Sequence, residues 1–169
     1  MSDENLVNNY GWSSSTQPNS CNYITPEIQR ILARLQPGRV LDIGCGNGSL
    51  CSEIKAKLGV SVVGMEYDQE GVDIAKASYP EIKFYRFGVQ DDPRHLLEME
   101  RNQFDVVIST EVIEHLFSPQ LLPRYAHGVL KAGGRLILTT PYHGYIKNLI
   151  LSLANKWDVH HTPLWEGGT

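Results

Sequence analysis

The sequence predicts an α/β fold with a doubly wound, mostly parallel sheet. Three observations point to it: short apolar runs alternate with amphipathic segments, a glycine-rich turn follows the first apolar run, and size and composition suit one globular domain. The chain has 169 residues, of which 41% are hydrophobic and 20% charged, enough to form a single core. Strands that alternate with helices pair in parallel through right-handed crossovers.

The charge and cysteine content exclude several classes of protein. Fifteen basic and nineteen acidic residues give a net charge of −4, so there is no strong nucleic-acid signature. The three cysteines include no C-x-x-C pair, which favours a reduced, cytoplasmic protein. The polar N-terminus resembles no signal peptide, and no apolar run is long enough for a transmembrane segment.

A polar arm, residues 1–24, precedes the predicted domain, residues 25–169. The arm contains Tyr10, Trp12 and Tyr23, which are expected either to form a lid that excludes water or to pack on the domain.

The domain is predicted to begin with a helix. Thr25 is the expected hydroxyl cap, and Pro26 the first helical residue; apolar residues at helical spacing then continue to Leu35. Strands and helices alternate after it. The predicted strands are 40–43, 61–65, 82–87, 104–109 and 135–140, and the predicted helices are 50–58, 69–78, 92–101 and 118–130.

The segment Asp42–Gly48 (D-I-G-C-G-N-G) joins the first strand to the next helix. In an open parallel sheet, ligands bind beyond the carboxyl ends of the strands, where the strand order reverses. Glycines allow the backbone to approach such a ligand closely. Glu66 ends the next strand, twenty residues after Gly46 by subtraction. That is the position of an acid that accepts hydrogen bonds from two ribose hydroxyls.

The turn distinguishes two classes of ligand. A dinucleotide site requires G-x-G-x-x-G, but the third glycine comes one residue early, and Ser49 stands in its place. Asp42 would also repel a pyrophosphate, whereas it suits a ligand that carries an ammonium or sulfonium group. A nicotinamide oxidoreductase is therefore disfavoured.

These motifs resemble the Rossmann-like class I S-adenosylmethionine (SAM)-dependent methyltransferases. Phe104–Ile108 is similar to the family's fourth strand, and Leu130–Leu136 to its L-K-P-G-G turn, with Ala132 in place of the proline. The likeness covers residues 40–141. It implies SAM as the cofactor and the following cofactor-binding residues: Asp42, Gly44, Cys45, Gly46, Asn47, Glu66, Tyr67, Asp68, Val89 and Thr110.

The segment after the fourth strand contains E-x-x-E-H, formed by Glu111, Glu114 and His115. On one helical turn these residues would share a face and could hold Mg²⁺ or another divalent cation, which would orient a diol. The segment is similar to that of ubiquinone-biosynthesis O-methyltransferases and of small-RNA 2′-O-methyltransferases, in which it is associated with a metal. Two alternatives stay open: a metal-free catalytic role as base or orienting group, or capping and packing.

The C-terminal segment predicts a helix over 143–155, either amphipathic and packed on the core or lying on a membrane surface. His160 or His161 is a candidate further metal ligand. No strand is predicted after Thr140. The family's C-terminal antiparallel strands are thus expected to be missing, and the chain to be incomplete at this end. The fifth strand would then be an exposed edge at which the protein could self-associate.

The sequence therefore predicts a SAM-dependent methyltransferase that methylates a hydroxyl of a small molecule. A glycan, a lipid precursor or a nitrogen nucleophile is the alternative acceptor. A catalytically silent domain that only binds the cofactor is the competing class.

Overall fold

The computed structural model describes residues 21–141, with side chains from residue 24 onward. The expectations for the aromatic residues of the arm, for the helix at 143–155 and for His160 and His161 lie outside these residues. Residues 21–140 belong to one compact unit. The division into an arm, 1–24, and a domain, 25–169, stays a prediction.

Strands and helices alternate along the described residues. The strands are β1 Arg39–Ile43, β2 Ser61–Glu66, β3 Lys83–Arg86, β4 Phe104–Thr110 and β5 Leu130–Thr139. The helices are α1 Cys21–Leu35, α2 Ser49–Leu58, α3 Gln69–Ser78, α4 Pro93–Glu100 and α5 Leu121–Val129, with a 3₁₀ helix at Ile113–His115.

The five described strands form one parallel sheet in the order β3-β2-β1-β4-β5. The order reverses between β1 and β4, which places the glycine turn and the residues after β4 at the switch point of the sheet. The predicted doubly wound parallel sheet is confirmed.

Alternate strand residues enter two separate apolar layers. Val40 packs with residues of α1, α2 and α3 on one face, and Leu41 with residues of α4 and α5 on the other. This is the pattern of a parallel sheet that is covered on both faces. Asp42 points to the same side as Val40, because side chains alternate along a strand, and its carboxylate meets Cys51 of α2.

The first helix begins earlier than predicted. It starts at Cys21, so Pro26 lies inside the helix, and Thr25 is 5% exposed and is not a terminal cap. Ile24 and Ile28 are both buried one helical turn apart. Their packing extends the helix through a Thr-Pro pair that by itself resembles a helix start.

The fifth strand also begins earlier than predicted, at Leu130, and α5 ends at Val129. Phe104 pairs with Leu130, but Val106 pairs with Arg135, so the intervening residues of β5 form a bulge. Gly133 supplies the required left-handed backbone at φ 80°. The L-K-A-G-G segment is thus part of the strand rather than a turn before it.

Candidate active site

The glycine turn is held by the second strand. The backbone N–H groups of Gly44 and Cys45 both donate to the carbonyl oxygen of Met65, at 2.7 and 3.1 Å. Gly44, Gly46 and Gly48 have φ values of 76°, 52° and 80°, a region that non-glycine residues rarely adopt. The turn therefore has a defined shape that depends on these three glycines.

Two of the glycines also make room for the protein's own side chains. A Cβ atom at Gly44 would overlap the Val112 side chain, and one at Gly48 would lie 2.7 Å from Phe84 Cζ. The sequence predicts close approach of a ligand to this turn. The structure adds close internal packing as a second reason for glycine at these positions.

Glu66 stands at the end of β2 and is fastened by three backbone donors. Its Oε2 accepts from the N–H of Gly46 at 2.9 Å, and its Oε1 accepts from those of Tyr67 and Asp68 at 2.7 and 2.9 Å. Burial raises the pKa of Glu66, and the three bonds act against that rise. A carboxylate has about four acceptor positions, so about one remains for a further donor.

Asp42 lies at the end of β1 and is 1% exposed. Its Oδ2 accepts a hydrogen bond from the Cys51 thiol at 3.3 Å, while its Oδ1 is buried without a hydrogen-bond partner. Burial raises the pKa of Asp42 to about 7, and the nearby Glu66 carboxylate adds to the rise. A buried, unpaired carboxylate oxygen is costly and is well suited to a cationic ligand.

Cys45 and Asn47 complete the turn. Both are buried, and Asn47 Oδ1 accepts from the N–H of Ser49 at 3.2 Å, so the side chain satisfies one of the free donors at the start of α2. Ser49, which stands where a dinucleotide site has glycine, is thereby part of the helix start.

The loops after β2 and β3 lie side by side. The N–H of Phe87 donates to the carbonyl oxygen of Glu66 at 3.2 Å. The Arg86 guanidinium lies 5.9 Å from the ring centroid of Tyr67, which is 39% exposed. Asp68 caps α3 through Oδ1, and its Oδ2 is buried without a hydrogen-bond partner. Val89 is half-buried in the adjacent loop.

The end of β4 is joined to both neighbouring strands. The buried Ser109 hydroxyl donates to the carbonyl oxygen of Ile43 at 2.9 Å. The Thr139 hydroxyl of β5 donates to Glu111 Oε1 at 2.8 Å and accepts from the N–H of Glu111 at 3.2 Å. Half-buried Thr110 lies between these contacts. The end of β4 thus lies beside the glycine turn.

The expected helical turn through E-x-x-E-H is not formed. Glu111 has φ 55° and precedes the 3₁₀ helix, whereas Glu114 and His115 lie on that helix and are exposed. The prediction that these three side chains share one face of a helical turn is therefore wrong. Among residues 21–141 no group of three His, Cys, Asp or Glu side chains is arranged to hold a metal ion.

Sequence reasoning missed three residues that shape this site: Cys51, Val112 and Thr139. The position of Thr139 could have been predicted from the sequence, because the carboxyl ends of paired parallel strands meet at one edge of the sheet. Cys51 and Val112 had no comparable signal, since their partners are separated from them in sequence and are brought together by packing.

A family model, curated relatives and solved structures all relate this chain to methyltransferases. Residues 19–163 match the family model of a methyltransferase domain. A ubiquinone biosynthesis O-methyltransferase of Ruegeria pomeroyi is 38% identical over 69% of this chain and 48% of that protein. The chain thus spans about half the length of the curated relatives it matches.

Solved structures share the fold. CalS10, an amino pentose methyltransferase from Micromonospora echinaspora solved with SAM bound, has a TM-score of 0.59 at 21% identity and covers 70% of this chain and 50% of its own. The [4+2]-cyclase SpnF has a TM-score of 0.57 at 23% identity, with coverages of 68% and 44%. The same fold thus occurs in proteins named for different reactions.

The resemblance that the sequence motifs predict is therefore confirmed by the family model and by the fold. Because the matched residues make up most of the chain, the chain belongs to the methyltransferase domain family.

Proposed function

We propose that this chain is the SAM-binding part of an enzyme that methylates a hydroxyl group of a small molecule. The observation that carries the proposal is the buried, unpaired Oδ1 of Asp42 beside the glycine turn. SAM is cationic at its sulfur and its amino group, and it has a ribose diol. A buried acceptor without a partner fits the cation.

The remaining part of the site also fits this cofactor. Glu66 is oriented by three backbone donors and keeps acceptor capacity for a ribose hydroxyl. Tyr67 and Val89 offer apolar surface at the neighbouring loops, and Asp68 has a further unpaired oxygen. Gly44, Cys45, Gly46 and Asn47 shape the turn, and Thr110 ends the adjacent strand.

The cofactor supplies an activated methyl group for an in-line displacement, so the protein's own task is chiefly to position the reactants. Methylation of a hydroxyl also needs a proton acceptor. His115 is exposed beside the end of β4, and we propose it as the base or as an orienting group. Glu111 is fixed by Thr139, and we propose that it shapes the acceptor side together with Glu114.

The hydroxyl acceptor is supported by the name of the Ruegeria relative, a ubiquinone biosynthesis O-methyltransferase. A nitrogen or glycan acceptor is the second candidate, favoured by the likeness to an amino pentose methyltransferase. A divalent cation at Glu111, Glu114 and His115 also stays a proposal. It would require these side chains to rearrange around the ion, since they share no helical face in this structure.

Two further proposals concern location and assembly. Cys45 and Cys51 are free and buried, which supports a reduced, cytoplasmic protein. Within residues 21–141, β5 pairs with β4 alone, and this supports self-association through its other edge. No described helix is long and apolar enough to cross a membrane.

Calorimetric titration with S-adenosylhomocysteine (SAH), the product form of the cofactor, tests the proposal. We expect binding of SAH and none of NADH, the matched control for a dinucleotide site. Tighter binding of SAH in the presence of Mg²⁺ would support the cation site. Binding of NADH but not SAH would contradict the proposed function. Turnover assays with catechol, amine and sugar acceptors would then show which class of acceptor is methylated. SAH binding without turnover of any acceptor would indicate a catalytically silent domain.

A further inference from the structure

The Cys51 thiol is a buried group that the proposed chemistry does not use. It lies in the first turn of α2, is fully buried, and donates a hydrogen bond to Asp42 Oδ2 at 3.3 Å. Asp42 Oδ1 has no hydrogen-bond partner. One oxygen of the same carboxylate is thus held by the helix, and the other is left free.

The surroundings of Asp42 offer no stronger donor from its strands. Gly64 of β2 and Ile108 of β4 are its partners in register, and neither has a polar side chain. Among residues 21–141, the ionisable groups around it are Cys51 of α2, Cys45 of the turn and Glu66 of β2. Glu66 repels the charge of Asp42, so Cys51 alone among these acts as a donor to it.

The thiol is suited to this task. The neighbouring Cys45 thiol, burial and the Asp42 carboxylate all raise the pKa of Cys51 well above its ordinary value, so the thiol keeps its proton at neutral pH. A thiol is also a weak donor. It therefore orients the carboxylate without using much of its capacity to accept a bond from a ligand.

We propose that Cys51 is a positioning residue for ligand binding, whose thiol holds Asp42 so that Oδ1 stays free to accept the cationic part of the cofactor. This inference rests on the proposed function, because it assumes that Asp42 faces the cofactor. It adds a residue outside the glycine motif to the binding site.

The inference has a pH signature. The Cys51 hydrogen bond lowers the pKa of Asp42, while burial holds it at about 7. The ammonium group, which SAH shares with SAM, binds the deprotonated carboxylate, so wild-type affinity for SAH rises with pH through this range. Loss of the thiol removes the contribution that lowers the pKa of Asp42, so the midpoint of the affinity–pH profile moves to higher pH.

The test is calorimetric titration of SAH from pH 5.5 to 8.5 into the wild type and five variants. Cys51→Ala removes the donor, and Cys51→Val removes it while filling the space. Cys51→Ser keeps a donor, and Ser52→Ala is the matched control on the same helix. Asp42→Asn supplies the reference profile without the titrating carboxylate. Thermal unfolding without ligand shows which variants are folded.

We expect Cys51→Ala and Cys51→Val to weaken SAH binding about fivefold or more at pH 7 and to raise the pH midpoint. Cys51→Ser should not raise the midpoint, and Ser52→Ala should match the wild type. Either donor-free variant suffices if the other does not fold.

Coincident profiles of the wild type and the donor-free variants would overturn the inference while leaving the proposed function intact. A Cys51→Ser profile shifted as far as that of Cys51→Ala would overturn it too, because the loss would not follow the donor. Absence of SAH binding by the wild type at every pH would overturn both the inference and the proposed function.

Discussion

At the scale of single residues, the site contains two carboxylates that the fold treats differently, the buried Asp42 and the half-buried Glu66. Glu66 receives three backbone N–H bonds, whereas Asp42 receives one thiol bond and keeps an unpaired oxygen. Glu66 is therefore built into the turn, and Asp42 carries an unfavourable free energy that a ligand can relieve. This difference leads to two predictions.

We expect Glu66→Gln to weaken SAH binding about tenfold or more, since hydrogen bonds to a charged group contribute about 1.5–3 kcal/mol. In the variant, the amide NH₂ group also takes the place of a carboxylate oxygen that accepts backbone N–H bonds in the wild type. Calorimetry measures the effect, and Glu70→Gln on the exposed side of α3 is the control. Unchanged affinity would show that the ribose does not lie at Glu66.

Asp42→Asn should stabilise the ligand-free protein at high pH and weaken SAH binding. The pKa of Asp42 is raised from 3.8 to about 7. Its contribution to folding is therefore fully favourable below its unfolded pKa and is lost as pH rises to about 7. The loss is at most about 4 kcal/mol, and asparagine does not undergo it.

Urea unfolding at pH 5 and pH 8 checks this prediction. The free energy of unfolding of Asp42→Asn should exceed that of the wild type at pH 8, and the difference should be smaller at pH 5. Parallel pH dependences of the two proteins would show that the Asp42 carboxyl is not destabilised by burial.

At the scale of elements, the contacts that shape the site join segments that are distant in sequence. Gly44, in the turn after β1, has no room for a side chain because Val112, after β4, packs against it. Thr139 of β5 is also distant in sequence from its partner, and its hydroxyl donates a hydrogen bond to Glu111 Oε1. The glycine turn is therefore shaped by the segment after β4 as well as by its own sequence, and Thr139 of β5 holds Glu111 of that segment.

Gly44→Ala should destabilise the protein by about 2 kcal/mol or more, from left-handed backbone strain and overlap with Val112. The double variant Gly44→Ala, Val112→Ala should recover the part due to overlap. A double-mutant cycle of unfolding free energies measures the coupling. Strictly additive effects would mean that the two side chains do not meet.

Glu100 connects elements on the opposite side from the site. Its side chain, 3% exposed, contacts Arg39 of β1 and accepts from Lys83 Nζ at 3.1 Å and the Tyr85 hydroxyl at 2.6 Å. Burial works to raise the pKa of Glu100, but the bonds from Tyr85 and Lys83 outweigh it and lower the pKa. Glu100 thus joins α4 to β1 and β3.

Glu100→Ala should reduce the free energy of unfolding by about 2 kcal/mol at pH 7, because three donors lose their acceptor. Since the folded pKa is lowered, this stability is present at neutral pH and is lost as pH falls below the ordinary value of 4.5. Chemical unfolding at pH 7 measures the change, with exposed Glu98→Ala as the control. SAH affinity should be unaffected, and a large loss of affinity would contradict a purely structural role.

At the scale of the whole molecule, residues 21–140 form a parallel sheet with helices on both faces and bring the carboxyl ends of β1, β2 and β4 together. The chain spans about half the length of relatives such as the Ruegeria protein. We propose that the cofactor side of the site lies within the described residues, and that the residues after β4 belong to its acceptor side.

Most of the fold could be predicted from sequence because its determinants are local. Apolar runs, helical periodicity and the spacing from Gly46 to Glu66 are properties of short segments, and they predicted the sheet and its ligand-binding edge. The predicted start of α1 was wrong because Thr25 and Pro26 resemble a helix start, whereas burial of Ile24 extends the helix. The start of β5 was wrong because its bulge depends on pairing with β4.

The sequence by itself predicts the class of ligand, since an ionised carboxylate before a glycine turn disfavours a pyrophosphate. The state of that carboxylate was not. Its unpaired oxygen, its raised pKa and its bond to Cys51 arise only when α2 covers β1 and excludes water. The left-handed Glu111 likewise depends on Thr139 of a neighbouring strand. Local patterns specify elements and motifs, whereas burial and contacts between distant segments set the geometry and protonation of the site.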